Sequence, residues 1–241
     1  MTHVETLTMD NSDQEKTFIQ KLYPTVNNED LLEFRVPPNV KGNMQMSDVM
    51  LRFLIKIPQT SATMLLPENL LGAKQFSSVE IRINGDAVTR RSCANEYYLS
   101  AYFQYITNFS ADYACTSCST FGIFDTGQGS TVGFTSNAEF YKKMMMGRKG
   151  LNQDFVYEIV MPIESSIFSS NQSLPTNTPI DISFERLSAK YSTVVEKTVE
   201  VDTLPSYLTL EDAYLLIPYT CDSSMQQMEK TAISRPIKVI K

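Results

Sequence analysis

Apolar residues along this chain fall mostly in short runs that alternate with polar ones and stop at turn-forming residues, the texture of β-strands. The first clear run, Leu31–Val36, is closed by Pro37-Pro38. Residues 49–57 read V-M-L-R-F-L-I-K-I and end before Pro58, which lacks the amide hydrogen that a strand ladder needs. Over residues 78–83 the period is two: Val79, Ile81 and Ile83 share one face, and Glu80 and Arg82 share the other. Asn84-Gly85 then offers the left-handed dihedrals of a two-residue turn, so a hairpin returning over residues 86–90 is predicted.

The period changes over residues 94–109. Leu99, Phe103 and Ile106 recur at helical spacing, as do Tyr98, Tyr102, Tyr105 and Phe109, with Ser92 as a candidate cap. One amphipathic helix is predicted, its aromatic face packing onto a sheet. No Lys or Arg lies in this stretch, so the rings lack the cations of a base-stacking surface. Strand texture resumes after Gly150, at residues 155–161, 180–184, 192–201, 212–218 and 236–240. Residues 165–178 form a Ser/Asn/Pro/Thr loop between two of these runs. Roughly nine short strands and one helix, with no strand-helix-strand alternation, predict an all-β fold: an antiparallel jelly-roll sandwich with one inserted amphipathic helix. Residues 1–21 are polar and aperiodic and are expected to be a flexible N-terminal arm, with residues 22–241 as one domain.

Composition narrows the function classes. The 241 residues carry 21 Lys and Arg against 27 Asp and Glu, a net charge of −6 that gives no general attraction to nucleic acid or anionic lipid. The one histidine, His3, stands near the N-terminus, which removes most imidazole-based catalysis. The start of the chain has no secretory signal pattern, and its longest apolar run is about half the roughly 20 residues a membrane helix needs. Synthesis in the cytosol and no membrane span are therefore expected. The four cysteines, Cys93, Cys115, Cys118 and Cys221, are expected to be thiols. Cys115-Thr-Ser-Cys118 is half of a zinc-ribbon pattern without its second pair. The sequons at Asn108 and Asn171 are given no role. The glycine-rich residues 119–136 lack the Lys-Ser/Thr of a phosphate loop, and the basic, Met-rich residues 142–149 suit a surface turn or a partner contact. No serine elbow, zincin motif or calcium loop occurs. No catalytic, cofactor-binding or metal residues are assigned and no cofactor is expected. A two-carboxylate glycosidase or a lectin stays open as an alternative.

Several segments carry a family resemblance. Phe76-Ser-Ser-Val-Glu-Ile-Arg-Ile-Asn-Gly85, followed by Ser100-Ala-Tyr-Phe-Gln-Tyr-Ile-Thr-Asn-Phe109, resembles the N-terminal part of the major capsid proteins of Polinton/Maverick and adintovirus-type elements. Ala101, Tyr102, Ile106, Asn108 and Phe109 match or conservatively replace that family's aromatic helix. Phe121-Gly-Ile-Phe-Asp125, Leu210-Glu-Asp-Ala-Tyr-Leu-Leu-Ile217, Met228-Glu-Lys230 and Pro236-Ile-Lys-Val239 follow in the family's order. Leu31–Val36 and residues 46–57 stand where its first two strands would. Tyr98 replaces a proline that precedes the helix in the family, and fewer basic residues follow Leu216.

The resemblance implies a double jelly-roll major capsid protein, three chains making a pseudo-hexagonal capsomer of an icosahedral shell. Its expected partners are further copies of itself in a homotrimer, neighbouring capsomers, and penton or minor capsid proteins, with no direct nucleic-acid contact. Its place is the virion, after synthesis in the host cytoplasm and assembly there or in the nucleus. The sequence reaches Lys241 where a second sandwich would begin, and its strand number fits one sandwich. A single jelly-roll minor capsid or penton protein and a cellular carbohydrate-binding module are the alternatives. Residues 1–21 are expected to order against neighbouring subunits, and residues 119–136 and 165–178 to lie on the tower or inter-subunit side.

Overall fold

The computed structural model describes residues 4–9, 15–38, 42–58, 65–89, 96–108, 154–165, 167–168, 173–175, 177–195 and 205–222. Their strands form two antiparallel sheets and a short ribbon. The spine of the larger sheet is the 14-residue strand β14 (Thr209–Asp222). On one side it pairs with β2 (Glu15–Leu22), whose outer edge takes β1 (Val4–Met9). On its other side β14 pairs first with β6 (Met50–Ile57) and then with β5 (Asn43–Gln45). Beyond these lie β10 (Phe155–Pro162) against β6 and β11 (Ser173–Leu174) against β5. The second sheet runs β3 (Val26–Asn27), β4 (Leu31–Val36), β12 (Ile180–Arg186), β8 (Phe76–Ile83), β9 (Asp86–Ala87). The ribbon pairs β7 (Leu65–Pro67) with β13 (Thr193–Val195).

Alternation in the sequence becomes the core. Leu51, Phe53, Ile55 and Ile57 of β6 are fully buried, and Leu210, Ala213, Leu215, Ile217 and Tyr219 of β14 lie beside them. Leu32, Phe34 and Val36 of β4 and Ile180, Ile182 and Phe184 of β12 supply the facing layer. The layers meet edge-to-face at Phe53 and Phe76, 5.7 Å between centroids, and Phe76 reaches Phe184 at 4.8 Å. Two bulges keep this alternation in phase. One extra residue on β8 opposite Glu185–Arg186 puts Phe76 on the same face as Ile81. In β14 the register shifts between Glu211 and Tyr214, where Asp212 takes φ 48°.

The predicted hairpin is present: Ile83 pairs with Asp86 and Arg82 with Ala87, across Asn84 at φ 55° and Gly85 at φ 88°. Gly42 has a different reason to be glycine. A Cβ there would stand 2.9 Å from the Thr220 carbonyl oxygen, so β5 reaches β14 only without a side chain.

The structure differs from the sequence reading at the N-terminus. Of residues 1–21, expected in a flexible arm, 15–21 belong to β2 beside the spine and Val4–Met9 forms the edge strand β1. The expected domain start at residue 22 thus falls on the last residue of β2, fully buried Leu22. Buried Gln20 breaks the apolar alternation of β2 and makes it read as polar chain. Pro218, expected to end a strand, stands inside β14 where β6 has ended and β5 has not yet begun. The strand expected at residues 192–201 is described only over Thr193–Val195, and the one at residues 236–240 lies outside the described residues.

Candidate functional site

No catalytic or cofactor residues were assigned from the sequence, so the chemistry must be sought in what the fold gathers. Among the described residues no group of three or more His, Cys, Asp and Glu is placed to hold a metal. Cys221 is a half-buried residue of β14, and His3, Cys93, Cys115 and Cys118 lie outside the described residues, as do residues 119–136 and 142–149. Asn108 ends the helix; Asn171 is outside the described set. No described helix is long and apolar enough to cross a membrane.

The helix α1 (Glu96–Asn108) packs against β8 and the short turn Ala73–Gln75. Its attachment is narrow. Among its described side chains Tyr97 and Ala101, one turn apart, are buried, with Tyr98 and Tyr105 half-buried against the core. The small Ala101 lets the backbone approach, and the Tyr97 ring enters the core at 6.1 Å from both Phe76 and Phe184. Its hydroxyl oxygen accepts a hydrogen bond from the Glu164 amide, 3.3 Å away in the segment after β10.

Burial governs the titration of this pair. It raises the Tyr97 phenol, with the neighbouring Glu164 charge acting in the same direction. Burial likewise pushes the Glu164 carboxyl up to about 7. Among the described residues no cation is in ion-pair range of Glu164.

The aromatic face expected to pack on a sheet does so through the half-buried Tyr98 and Tyr105, while Tyr102 faces outward. Leu99, Tyr102 and Phe103 are 42%, 46% and 58% exposed, a contiguous apolar patch at i, i+3 and i+4. The sequence showed two helical rows of apolar residues, and periodicity alone could not say which the fold would cover. Tyr97 was not singled out, although an aromatic followed four residues later by alanine was its signal.

Two further clusters stand apart. On the outer face of the larger sheet the Tyr214 ring lies near two cations, Lys21 Nζ at 5.3 Å and Arg52 Cζ at 5.1 Å from its centroid. Arg52 also bonds Glu158 at 2.8 Å and the carboxylate of Asp212. Burial lowers its pKa, but those acids and Tyr214 more than offset that and hold it above its ordinary value. This row ties four strands together and spends its charges internally. In the core layer, buried Arg186 donates to the Leu208 carbonyl at 2.6 Å. Burial lowers it to about 10, against the influence of Tyr207 and Glu29. Its Nε and the Oε1 of buried Gln75 have no hydrogen-bond partner among the described residues.

No protein-family model and no curated protein matches the chain. The site is therefore read from geometry: a satisfied charge row on one face, and an apolar helix face on one flank. The second is the arrangement that can meet another protein.

Proposed function

We propose that the chain is a structural capsid protein, a jelly-roll subunit assembling with copies of itself into trimeric capsomers of an icosahedral shell, akin to those of Polinton/Maverick and adintovirus-type elements. The observation that carries this is the nesting of its strands. Taken in chain order, β2, β4, β6, β8, β9, β10, β12 and β14 pair first with last, second with seventh, third with sixth and fourth with fifth. Contacts of β14 with β6 and of β12 with β8 complete sheets of order β2-β14-β6-β10 and β4-β12-β8-β9. A jelly roll requires this nesting, and it recurs in viral shells and in lectins. Fold alone does not choose between those.

Two features favour a shell. Two of the segments that carry the capsid resemblance fall on β8 with its turn and on α1, and α1 presents Leu99, Tyr102 and Phe103 outward, as a lateral protein contact needs. A single sandwich among the described residues favours, as a second reading, a minor capsid or penton protein built on one jelly roll.

Light scattering and negative-stain microscopy of purified protein test both readings. Trimers or larger particles support the major capsid role and pentamers the penton role. A monomer at all concentrations that binds glycans on an array overturns both in favour of a carbohydrate-binding module.

A further inference from the structure

The join between α1 and the sandwich combines three observations. Among its described side chains the helix is anchored by one deeply inserted ring, Tyr97, and one small contact, Ala101, with Tyr98 and Tyr105 half-buried beside them. The Tyr97 hydroxyl is engaged by the second residue after β10, through the Glu164 amide. The Glu164 side chain is half-buried at the same place, with no cation in ion-pair range among the described residues. Helices of this length are marginal without tertiary support, so whatever unseats Tyr97 loosens α1.

We propose that Tyr97 and Glu164 form a proton-controlled latch for α1. With the Glu164 carboxyl neutral, the segment after β10 stays folded against the flank and the tyrosine stays seated. Loss of that proton leaves a carboxylate without a cation among the described residues in a site that disfavours charge, and the segment relaxes toward water, withdrawing the amide that holds the Tyr97 hydroxyl.

The chemistry sets the range and direction. Among the described residues the titratable group facing Glu164 is Tyr97, from α1, and it stays neutral because burial and the adjacent carboxyl both raise it. Glu164 itself titrates near 7, above its ordinary 4.5, so the closed state holds the proton more tightly than the open one. Closure is strongest in mild acid and weakens as the pH rises through neutrality. Opening changes how the apolar patch of Leu99, Tyr102 and Phe103 is presented, which makes the helix surface responsive to pH.

Amide hydrogen exchange on the full chain, expressed as protection factors to remove the intrinsic pH dependence of exchange, tests this. Between pH 6 and pH 8 protection in Glu96–Asn108 is expected to fall about tenfold in the native protein while that in Met50–Ile57 is unchanged. In Glu164→Gln, which carries the neutral shape permanently, the fall in the helix is expected to vanish. A helix whose protection does not change with pH, an equal fall in helix and strand, or the same fall in Glu164→Gln would each overturn the latch. The strand comparison within the native protein keeps the test decisive if the variant fails to fold.

Discussion

Strand β6 and helix α1 both carry dense apolar sequence, yet the fold uses them differently. In β6 every second residue is fully buried, and the strand has a neighbour on each side, β14 and β10. Among the described side chains of α1, Tyr97 and Ala101 are buried, Tyr98 and Tyr105 are half-buried, and three large apolar ones face out. A strand inside a sandwich has its buried face set by the pleat, because a one-residue slip would exchange faces completely. A helix with apolar residues most of the way round has no such constraint, and its contact is chosen by what the flank can accept. Here that is the Tyr97 ring and the Ala101 methyl group, with Tyr98 and Tyr105 half-covered beside them.

The contrast can be broken most forcefully at its centre. Phe53→Ala should cost about 3–5 kcal/mol, and denaturant unfolding followed by circular dichroism should show one cooperative transition moved to much lower midpoint. Tyr97→Ala should cost about 2–4 kcal/mol and act locally first, with exchange protection lost in α1 before β6. If both elements lost protection together, the helix would be as integral as the strand and the contrast would fail.

The pH dependence sharpens it further. Because the Glu164 carboxyl is raised in the folded state, its stabilising contribution is complete below about 4.5, is lost as the pH rises through about 7, and changes no more above that. The expected loss is on the order of 2 kcal/mol after allowance for solvent screening, read from urea midpoints across this range and abolished in Glu164→Gln. The smallest effect should come from Phe103→Ser. At an outward position it should alter stability by no more than about 0.5 kcal/mol while reducing the oligomer population in light scattering. A large loss of stability there would mean that the helix face is core after all.

Much of the fold was legible because its strands obey simple patterns. Leu31–Val36 and the Asn84-Gly85 turn lie where the sequence places them, and β6 begins one residue later than predicted. The strands that escaped notice are short, such as β5 and β11, or carry polar residues on the inner face, as Gln20 does in β2. A proline hid the last four residues of β14, since the change of partner from β6 to β5 that accommodates it is a tertiary fact. The candidate site was less legible. Glu164 is unremarkable between Ile163 and Ser165, and its raised titration arises from burial that no local pattern encodes.

The spine strand also governs timing. Leu215 pairs with Leu22 on one side and with Leu51 on the other, so residues near the start of the chain wait for residues near its end. During synthesis β2 and β6 emerge early with the edges meant for β14 unfilled, and the larger sheet cannot close until Thr209–Asp222 has left the ribosome. Such long-range pairing predicts slow folding and an exposed interval in which unpaired strand edges invite association with the wrong copy. A ribosome-bound chain halted before residue 209 should be captured by chaperones that ignore the finished protein.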